Sequence, residues 1–398
     1  MGLFLIRNKM KFFLLYLCIG FLSFFSCQLA DEKGYVNLTI TEEPSVIDFF
    51  SDINLVQLES KEDNLLGVIS KVVYFKDRFF ILDGLTQQFF CFDDQGNFIY
   101  KISARGRGPG EYNYITDFAI DPEGERILIL DPVVQRVLLF CLEGNHLETF
   151  SIPTEKVMGF NKVFALNDSI ILVSSITNYQ LVFFDLNQQK VVENKFEFPI
   201  EGPLDAFSPR HNVYQYHGRT FVLPFLGSDV YDVTEINLAQ HFRWNFGPTN
   251  NSKEQIESLI SKIGSRQKDI TFYHDEVGKG KILNHHIVKV NETPRYKIAL
   301  IEYDNYFRHV FIDKTSNDSH VFNHFKEGIS LIYFFIQPDV AIGFHTGIPE
   351  RTKHIPERAH RKYDFYHPEL LNQMDRQIIA NHNPMTDNPY LVVYKFRE

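Results

Sequence analysis

Residues 77–83 read DRFFILD, and residues 125–131 repeat this stretch without gaps as ERILILD. The offset is 48 residues (131 − 83), and the pair Gly96-Asn97 recurs with the same offset at Gly144-Asn145. A repeat of about 40–50 residues that carries four strands is typical of a β-propeller blade. The repeat therefore predicts an all-β ring.

Each of the two matching units reads as a β-meander. In the first unit the predicted strands are Val72–Phe75, a second strand that ends in Leu82-Asp83, then Gln88–Phe92 and Phe98–Ile102. A Gly-Asn pair lies between the third and fourth strands, where a tight turn needs a residue with positive φ. The alternative is a large sandwich of unrelated strands, and the gap-free offset argues against it.

The later units are degenerate. Their predicted strand pairs are Val163–Val173 with Leu181–Leu186, Val213–Leu223 with Val230–Ile236, Lys297–Tyr303 with Arg308–Ile312, and Ile329–Gln337 with Val340–Phe344. At about 48–60 residues per blade, the length allows six or seven blades.

Two segments have helical rather than strand spacing of apolar residues, Ser252–Gln267 and Pro368–Ala380. We interpret both as small insertions. The last strand, Tyr390–Phe396, needs a partner, and Asn54–Leu58 near the other end of the chain is the natural one. The sequence therefore predicts a single propeller domain over residues 46–398, closed by N- and C-terminal strands.

Composition supports strands and excludes some functions. Aromatic residues make up 15% of the chain, and such side chains suit pleated, half-buried surfaces. The net charge is −10 without a basic block, so nucleic acid is not an expected partner. Beyond the leader only Cys91 and Cys141 remain, which leaves either two buried thiols or one bridge but not a disulfide scaffold.

The N-terminus reads as an export signal. Basic residues precede the apolar run Phe12–Phe25, which is too short to span a membrane and is followed by Ser26-Cys27. This arrangement resembles a bacterial lipobox. We therefore predict a signal peptide over residues 1–26, a lipid-carrying Cys27, a tether over residues 27–45, and an outer-membrane lipoprotein facing the periplasm or the cell surface.

Three points about the leader stay open. The cysteine could be incidental to an ordinary signal peptide, or the leader could remain as an uncleaved anchor. Translation could start at Met1 or at Met10. The residues after Cys27 include Asp31 and Glu32, which resemble the surface-export signal of Bacteroidota lipoproteins but also suit a plain solvated tether.

Three motifs resemble a known family. They are RGRGPGEY at 105–112, ITDF at 115–118 and DNPYLVVY at 387–394. In these motifs the chain is similar to the six-bladed β-propeller lipoproteins of Bacteroidota, whose blades are NHL-like or TolB-like. The resemblance implies an exported, lipid-anchored propeller with six blades, and it does not bring an established reaction.

The Gly-rich motif supplies the candidate ligand-binding residues Arg105, Arg107, Glu111 and Tyr112. It lacks the Gly-Lys-[Ser/Thr] of a phosphate loop and leads into a strand rather than a helix. At the mouth of a central channel an arginine could bind a carboxylate or sulfate, and the tyrosine could stack on a sugar ring. Alternatively, the glycines only turn the backbone between blades while the arginines stay solvated.

Other polar residues suggest weaker sites. Aspartates end strands at Asp83, Asp131 and Asp313, where they could accept turn amides or point into the channel. Several of the 15 histidines fall late in the chain, but none has metal-site spacing, so scattered surface histidines are favoured over zinc. No cofactor and no metal are predicted.

We expect a non-enzymatic binding or scaffold module for a glycan, peptide or protein. The alternative is a propeller enzyme of the lyase or hydrolase class that acts on an extracytoplasmic substrate at the channel mouth. Convergence of at least three ionisable side chains at that mouth would favour the enzyme.

Overall fold

The computed structural model describes residues 34–40, 42–152, 160–167, 170–175, 179–197, 212–265, 282–331, 334–345 and 370–398. The predicted leader, Cys27 and several of the late histidines lie outside these residues. In the described part of the chain, the helices are all too short or too polar to span a bilayer.

Strands dominate the described residues. In chain order they are β1 Phe50–Gln57, β2 Ile69–Phe75, β3 Arg78–Asp83, β4 Gln88–Asp93, β5 Phe98–Ile102, β6 Asp117–Asp121, β7 Arg126–Asp131, β8 Arg136–Cys141, β9 His146–Ser151, β10 Phe160–Ala165, β11 Ile170–Ser175, β12 Tyr179–Asp185, β13 Lys190–Glu197, β14 Asn212–Tyr216, β15 Arg219–Leu223, β16 Asp229–Asp232, β17 Ala239–Arg243, β18 His285–Glu292, β19 Tyr296–Tyr303, β20 Tyr306–Asp313, β21 Ser319–Phe322, β22 Phe335–Ile336, β23 Val340–His345 and β24 Tyr390–Phe396.

The described strands form six four-stranded antiparallel sheets. Sheets 1 to 5 each use four consecutive strands, starting from β2, β6, β10, β14 and β18. Sheet 6 has the order β1-β24-β23-β22, so it joins the two ends of the chain. The predicted all-β propeller arrangement is confirmed.

Polar side chains link neighbouring sheets around the ring, through the first strand of each of sheets 1 to 5 and through β22 of sheet 6. Each link joins a side chain at one inner strand to a backbone group at the next, within hydrogen-bond distance. The links are Gln337 with Tyr74, Lys71 with Phe118, Asp117 with Val163, Gln215 with Ala165, Asn212 with Val290, and Asn291 with Ile336. Together they run once around the ring, so these inner strands surround its centre.

The 48-residue sequence repeat relates equivalent strands of sheets 1 and 2. Strands β3, β4 and β5 each begin 48 residues before β7, β8 and β9. In both sheets the glycine between the third and fourth strands has positive φ, +87° at Gly96 and +84° at Gly144. A Cβ at Gly96 would lie 2.1 Å from the carbonyl oxygen of Gln57, so glycine is required there for packing as well as for φ.

The closing pair of strands is the one that the sequence predicts. Strand β1 runs antiparallel to β24, with Asn54 opposite Val393 and Gln57 opposite Tyr390. The apolar sides of both strands lie in the core between sheets, where Val392 and Tyr394 are fully buried. The pairing thus gives the C-terminal strand β24 a neighbour on both sides, while β1 forms the outer edge of sheet 6.

Within the described residues, three α-helices accompany the sheets: α1 Val46–Phe49, α2 Lys253–Ser265 and α3 Gln373–Asn381. The prediction over Ser252–Gln267 is confirmed by α2. The C-terminal helix begins later than predicted, because Asn372 and Asp375 form a capping box that fixes its start. The predicted strand Ile329–Gln337 is also shorter, since only Phe335–Ile336 is a strand and residues 329–331 pack in the core.

The sequence predicts a tether over residues 27–45, and the described residues 36–40 of that range do not form a free tether. Val36 donates its backbone N–H to the carbonyl of Asn245 at 2.8 Å, and Val36 and Leu38 are buried in the core that sheets 4 and 5 share. Further along, Val46 donates to Glu327 at 3.0 Å. Apolar burial therefore attaches this segment to the ring from residue 36 onward.

The two cysteines of the propeller are free thiols. Cys91 is buried and Cys141 is half-buried. The bridge that the sequence left open is absent among these described residues, and burial raises the pKa of Cys91 to about 12. Cys91 therefore stays a thiol at neutral pH and acts as a small apolar side chain.

We expect Leu38→Ala to lower the free energy of unfolding by about 2–4 kcal/mol, because the substitution leaves a cavity in the core. Ile40→Ala, two residues away at a position 37% exposed, is the matched control and should change stability by less than about 0.5 kcal/mol. Urea unfolding followed by fluorescence measures both. If both substitutions change the free energy of unfolding by the same small amount, the segment around Leu38 is a free tether, as the sequence predicts.

Candidate functional site

The Gly-rich motif forms a closed loop between sheets 1 and 2. Arg105 and Tyr112 pair through an isolated β-bridge. Tyr112 is fully buried, and its hydroxyl donates to the carbonyls of Gln87 at 2.8 Å and Ile102 at 3.2 Å. The prediction that Tyr112 stacks on a ligand is therefore wrong for this structure, because its ring belongs to the core.

Glu111 is also engaged inside the loop. Its carboxylate accepts the backbone N–H of Gly108 at 2.8 Å, and a Cβ at Gly106 would lie 2.0 Å from Glu111 Oε2. Arg105 donates to the carbonyl of Thr86 at 3.1 Å and is exposed, as is Arg107. Glu111 and Tyr112 are thus used within the loop, whereas Arg105 and Arg107 are exposed to solvent.

The aspartates at the ends of β3 and β7 hold backbone amides. Asp83 accepts from Gly67 at 2.6 Å, Val68 at 2.9 Å and Leu85 at 2.8 Å. Burial opposes ionisation of Asp83, but the amides of Val68 and Gly67 outweigh it and lower the pKa. Asp131 accepts from Asn113 at 2.6 Å in the same way.

Asp313 also accepts turn amides, but its place in the fold differs from the one predicted. It ends β20, the third strand of sheet 5, whereas Asp83 and Asp131 end second strands. Asp313 therefore lies at the opposite end of its sheet, where it accepts from Thr315 at 2.8 Å and from Arg295 at 2.8 Å. The local sequence is alike, but the turn is a different one.

The inner strands bring together three ionisable side chains that sequence reasoning missed. Asp117 opens β6 and is fully buried. Its Oδ1 lies 2.9 Å from Lys71 Nζ on β2 and 3.5 Å from Lys162 Nζ on β10. Its Oδ2 accepts the backbone N–H of Val163 at 3.1 Å. One carboxylate thus holds two ammonium groups from the two neighbouring inner strands.

The two lysines differ in their hydrogen bonds and in their exposure to solvent. Lys71 Nζ also donates to the carbonyl of Phe118 at 2.5 Å and lies 5.1 Å from the centre of the Phe118 ring. Burial lowers the pKa of Lys71, and the charge of Asp117 opposes that shift. Lys162 is 40% exposed and has the longer contact with Asp117. Lys162 can therefore donate hydrogen bonds to a ligand that arrives from solution.

The cluster can bind an anion. Two ammonium groups and one carboxylate leave an excess of one positive charge where dielectric screening is weak. The sequence gives little signal for it, because Lys71 and Lys162 lie 46 and 45 residues from Asp117 on separate strands. The only hint is a charged residue at the start of an otherwise buried strand, as at Asp117.

A second polar cluster lies between sheets 4 and 5. Glu292 is buried, and its carboxylate contacts Lys314 Nζ at 2.9 Å, His241 Nε2 at 2.9 Å and Tyr214 Oη at 3.2 Å. Burial alone would raise the pKa of Glu292, but the hydrogen bonds from Lys314 and His241 lower it. Tyr214 and His241 belong to sheet 4, whereas Lys314 follows β20 of sheet 5, the same sheet as Glu292. Because the carboxylate contacts side chains of both sheets, we interpret the cluster as an inter-sheet clamp.

The described histidines do not assemble a metal site. Within the described residues, no group of three or more His, Cys, Asp or Glu side chains is arranged to hold a metal ion. His285 and His309 are buried rather than on the surface, which corrects the expectation of scattered surface histidines. Burial lowers the pKa of His309 to about 4, so it is neutral at pH 7 and accepts the backbone N–H of Leu331 at 3.0 Å.

Fold and site together define the class of protein: a β-propeller with a charged cluster on its inner strands. The chain belongs to the family described as a domain of unknown function, DUF4934, whose model matches residues 35–345. The match begins within the segment that packs on sheets 4 and 5. No curated protein matches the sequence.

One solved structure shares the fold, and a second is similar to this chain to a lesser degree. A protein of Bacteroides fragilis that is described as a candidate for export is 16% identical, with a TM-score of 0.68 over 90% of this chain and 98% of that one. A member of the DUF4221 family from Bacteroides vulgatus is 12% identical, with a TM-score of 0.48 over 87% and 98%. At these identities the likeness concerns the fold alone.

We expect Tyr112→Phe to lower the free energy of unfolding by about 1–2 kcal/mol, because two buried carbonyls lose their donor. Tyr114→Phe, two residues away and 44% exposed, is the control and should be close to neutral. Chemical unfolding measures both. If Tyr112→Phe is as stable as Tyr114→Phe, the buried hydroxyl does not hold the loop.

Proposed function

We propose that this protein is an exported, lipid-anchored, six-bladed propeller that acts as a binding module for a ligand with an anionic group. The observation that carries the proposal is the meeting of Lys71, Asp117 and Lys162 on three neighbouring inner strands. The six sheets support the blade number. The leader sequence supports export and anchoring, and a protein of the same fold is described as a candidate for export.

Asp117 positions the lysines rather than neutralising both of them. It is fully buried and accepts the Val163 amide as well as the ammonium of Lys71, so little of it remains for a ligand. Lys162 then presents its charge to the channel. A carboxylate or sulfate is the group that we expect there, because charge-assisted hydrogen bonds to an ammonium are about twice as strong as neutral ones.

The ligand would be a glycan, a peptide or a protein that carries such a group. Propeller sites at the start of the inner strands face the loops that lead into them, so a ligand larger than an ion would also touch those loops. The single excess charge suits one acidic group at a time. Nucleic acid, whose binding depends on many simultaneous phosphate contacts, would need a larger basic surface.

A second candidate function is catalysis, which the convergence of three ionisable groups favours. A lysine whose pKa burial lowers can serve as a general base in a lyase. Against this, Lys71 donates to both Asp117 and Phe118, and those acceptors favour its charged form. Binding without turnover therefore fits the geometry better.

Binding is tested with paired probes on the detergent-solubilised full chain. Tetragalacturonate carries a carboxylate on every sugar, whereas galactotetraose is its neutral counterpart. We expect calorimetry to show binding of the first only, and Lys162→Ala to weaken it about tenfold, the order of one charge-assisted hydrogen bond. Lys76→Ala removes a 49% exposed lysine that pairs with Glu125 and is the control.

Three outcomes would contradict the anion site: equal binding of both probes, no binding of the charged one, or equal affinity of Lys162→Ala and Lys76→Ala. NMR of the same mixtures distinguishes the two candidate functions. If the protein cleaves tetragalacturonate and Lys71→Met abolishes this cleavage, the protein is an enzyme rather than a binding module.

Anchoring has its own test. Cys27→Ala removes the thiol that would carry the diacylglycerol, so we expect the protein to leave the membrane fraction and to lose incorporated palmitate. Cys18→Ala, within the leader, is the matched control and should leave both unchanged. Palmitate labelling and fractionation are the measurements. A Cys27→Ala protein that stays membrane-bound would show that the lipoprotein assignment is wrong.

A further inference from the structure

Lysines recur at one position on the inner strands of sheets 1, 3 and 5. The position is defined by the residue opposite it on the second strand of the same sheet. The pairs are Lys71 with Leu82, Lys162 with Ser174 and Lys289 with Leu300. In each sheet this partner in turn lies opposite the residue four positions before the end of the third strand. The three lysines are therefore equivalent and lie at one level of the ring.

Sheets 2 and 4 carry oxygen acceptors at this level instead. Asp117 takes the same position in sheet 2, opposite Leu130, and its Oδ2 accepts the N–H of Val163 at 3.1 Å. In sheet 4, Asn212 Oδ1 accepts the N–H of Val290 at 3.2 Å. Both valines directly follow a lysine, so lysine and acceptor alternate from sheet 1 to sheet 5. We call the five residues at this level the inner ring: Lys71, Asp117, Lys162, Asn212 and Lys289.

The inner ring has a net charge of +2, because it contains three ammonium groups and one carboxylate. Asn212 shows that the link to the next sheet needs no charge, since its amide makes the same contact as Asp117. Asn212 also donates to the carbonyl of Ile287 at 3.4 Å, so it contacts the backbone on both sides of Lys289. Sheet 2 thus places a carboxylate beside Lys162, whereas sheet 4 places a neutral amide beside Lys289.

Two carboxylates at the ends of second strands lie further from the centre. Asp83 and Asp131 end β3 and β7, one strand away from the inner strands, and both carry a negative charge. Burial lowers the pKa of Lys71, the charge of Asp117 opposes that shift, and the charge of Lys162 adds to it. The charges that act on Lys71 are therefore those of the inner ring. Its two lysines repel each other, and a bound anion would relieve that repulsion.

We propose that the anion site described above extends to Lys289, and that the inner ring binds two or more closely spaced carboxylates of one ligand. One carboxylate lies beside Lys162 and another beside Lys289, so the ligand contacts sheets 3 and 5 together. The extension rests on the proposed function, because it requires that Lys162 binds an acidic group.

The common level of the lysines favours closely spaced acidic groups over a chain threaded through the ring. Acidic groups that are neighbours on one molecule can reach lysines at one level, whereas a chain along the channel axis presents its groups at successive levels. Lys289 Nζ donates to the carbonyl of Phe334, as Lys71 Nζ donates to that of Phe118. A carbonyl is neutral, so this bond does not neutralise the ammonium.

The test uses titration calorimetry on the detergent-solubilised full chain. The probes are pentanoate, pentanedioate and 3-carboxypentanedioate, which carry one, two and three carboxylates on the same five-carbon chain. We expect the affinity to rise about tenfold with each added carboxylate, the order of one charge-assisted hydrogen bond.

Two substitutions in different sheets should each weaken the tricarboxylate about tenfold. Lys289→Met removes the ammonium and keeps the apolar stem, and Asn212→Asp gives sheet 4 the carboxylate that Asp117 gives sheet 2. Lys326→Met and Asn305→Asp make the same changes at exposed positions of the connections in and after sheet 5, and they are the matched controls. Circular dichroism confirms folding, and Asn212→Asp carries the test if Lys289→Met does not fold.

Three results would overturn the extension to Lys289. They are equal affinity for the three probes, tricarboxylate binding that is the same in the inner-ring variants and the controls, and binding of tetragalacturonate without binding of the tricarboxylate. In each case a loss of tetragalacturonate binding in Lys162→Ala would leave the anion site itself intact. If neither tetragalacturonate nor the tricarboxylate binds, the anion site and its extension both fail.

Discussion

The ring depends on the pairing of β1 with β24. This pairing joins residues more than 330 positions apart, for example Phe50 with Phe396, and it completes the four strands of sheet 6. Bringing such distant segments together costs loop entropy, although that cost grows only slowly with length. Buried aromatic side chains offset it, since Phe50 lies 5.1 Å from Tyr394 and 4.7 Å from Phe396 between ring centres.

Closure also explains where the polar residues of the inner strands lie. When the inner strands converge, their backbone edges and side chains face one another instead of water, so each exposed donor or acceptor needs a partner on the next strand. Asparagine and glutamine supply most of these links, as at Asn212 and Gln337. Charged side chains take the same role at two places, Lys71 with Asp117 and Lys162 at one, and Lys289, which donates to the carbonyl of Phe334, at the other.

The sequence was informative where the signal is local or periodic. The 48-residue offset predicts the paired strands of sheets 1 and 2, and the apolar spacing predicts α2, because both patterns follow from geometry within one element. Contacts between sheets leave no such pattern. The meeting of Lys71 with Asp117 depends on how two inner strands converge, and the burial of Leu38 depends on a core formed by residues more than 170 positions later.

The motif that carries the family resemblance has a structural task rather than a direct binding one. Gly106, Gly108 and Glu111 form the turn, and Tyr112 anchors it in the core. Because Glu111, Asp83 and Asp131 are all used to hold amides, the acids near this loop are withdrawn from solvent while its arginines are not. These carboxylates keep their negative charge, because hydrogen bonds from backbone amides stabilise the ionised form, as the lowered pKa of Asp83 indicates. The glycine-rich loop therefore combines exposed arginines with carboxylates that are fixed within its turns.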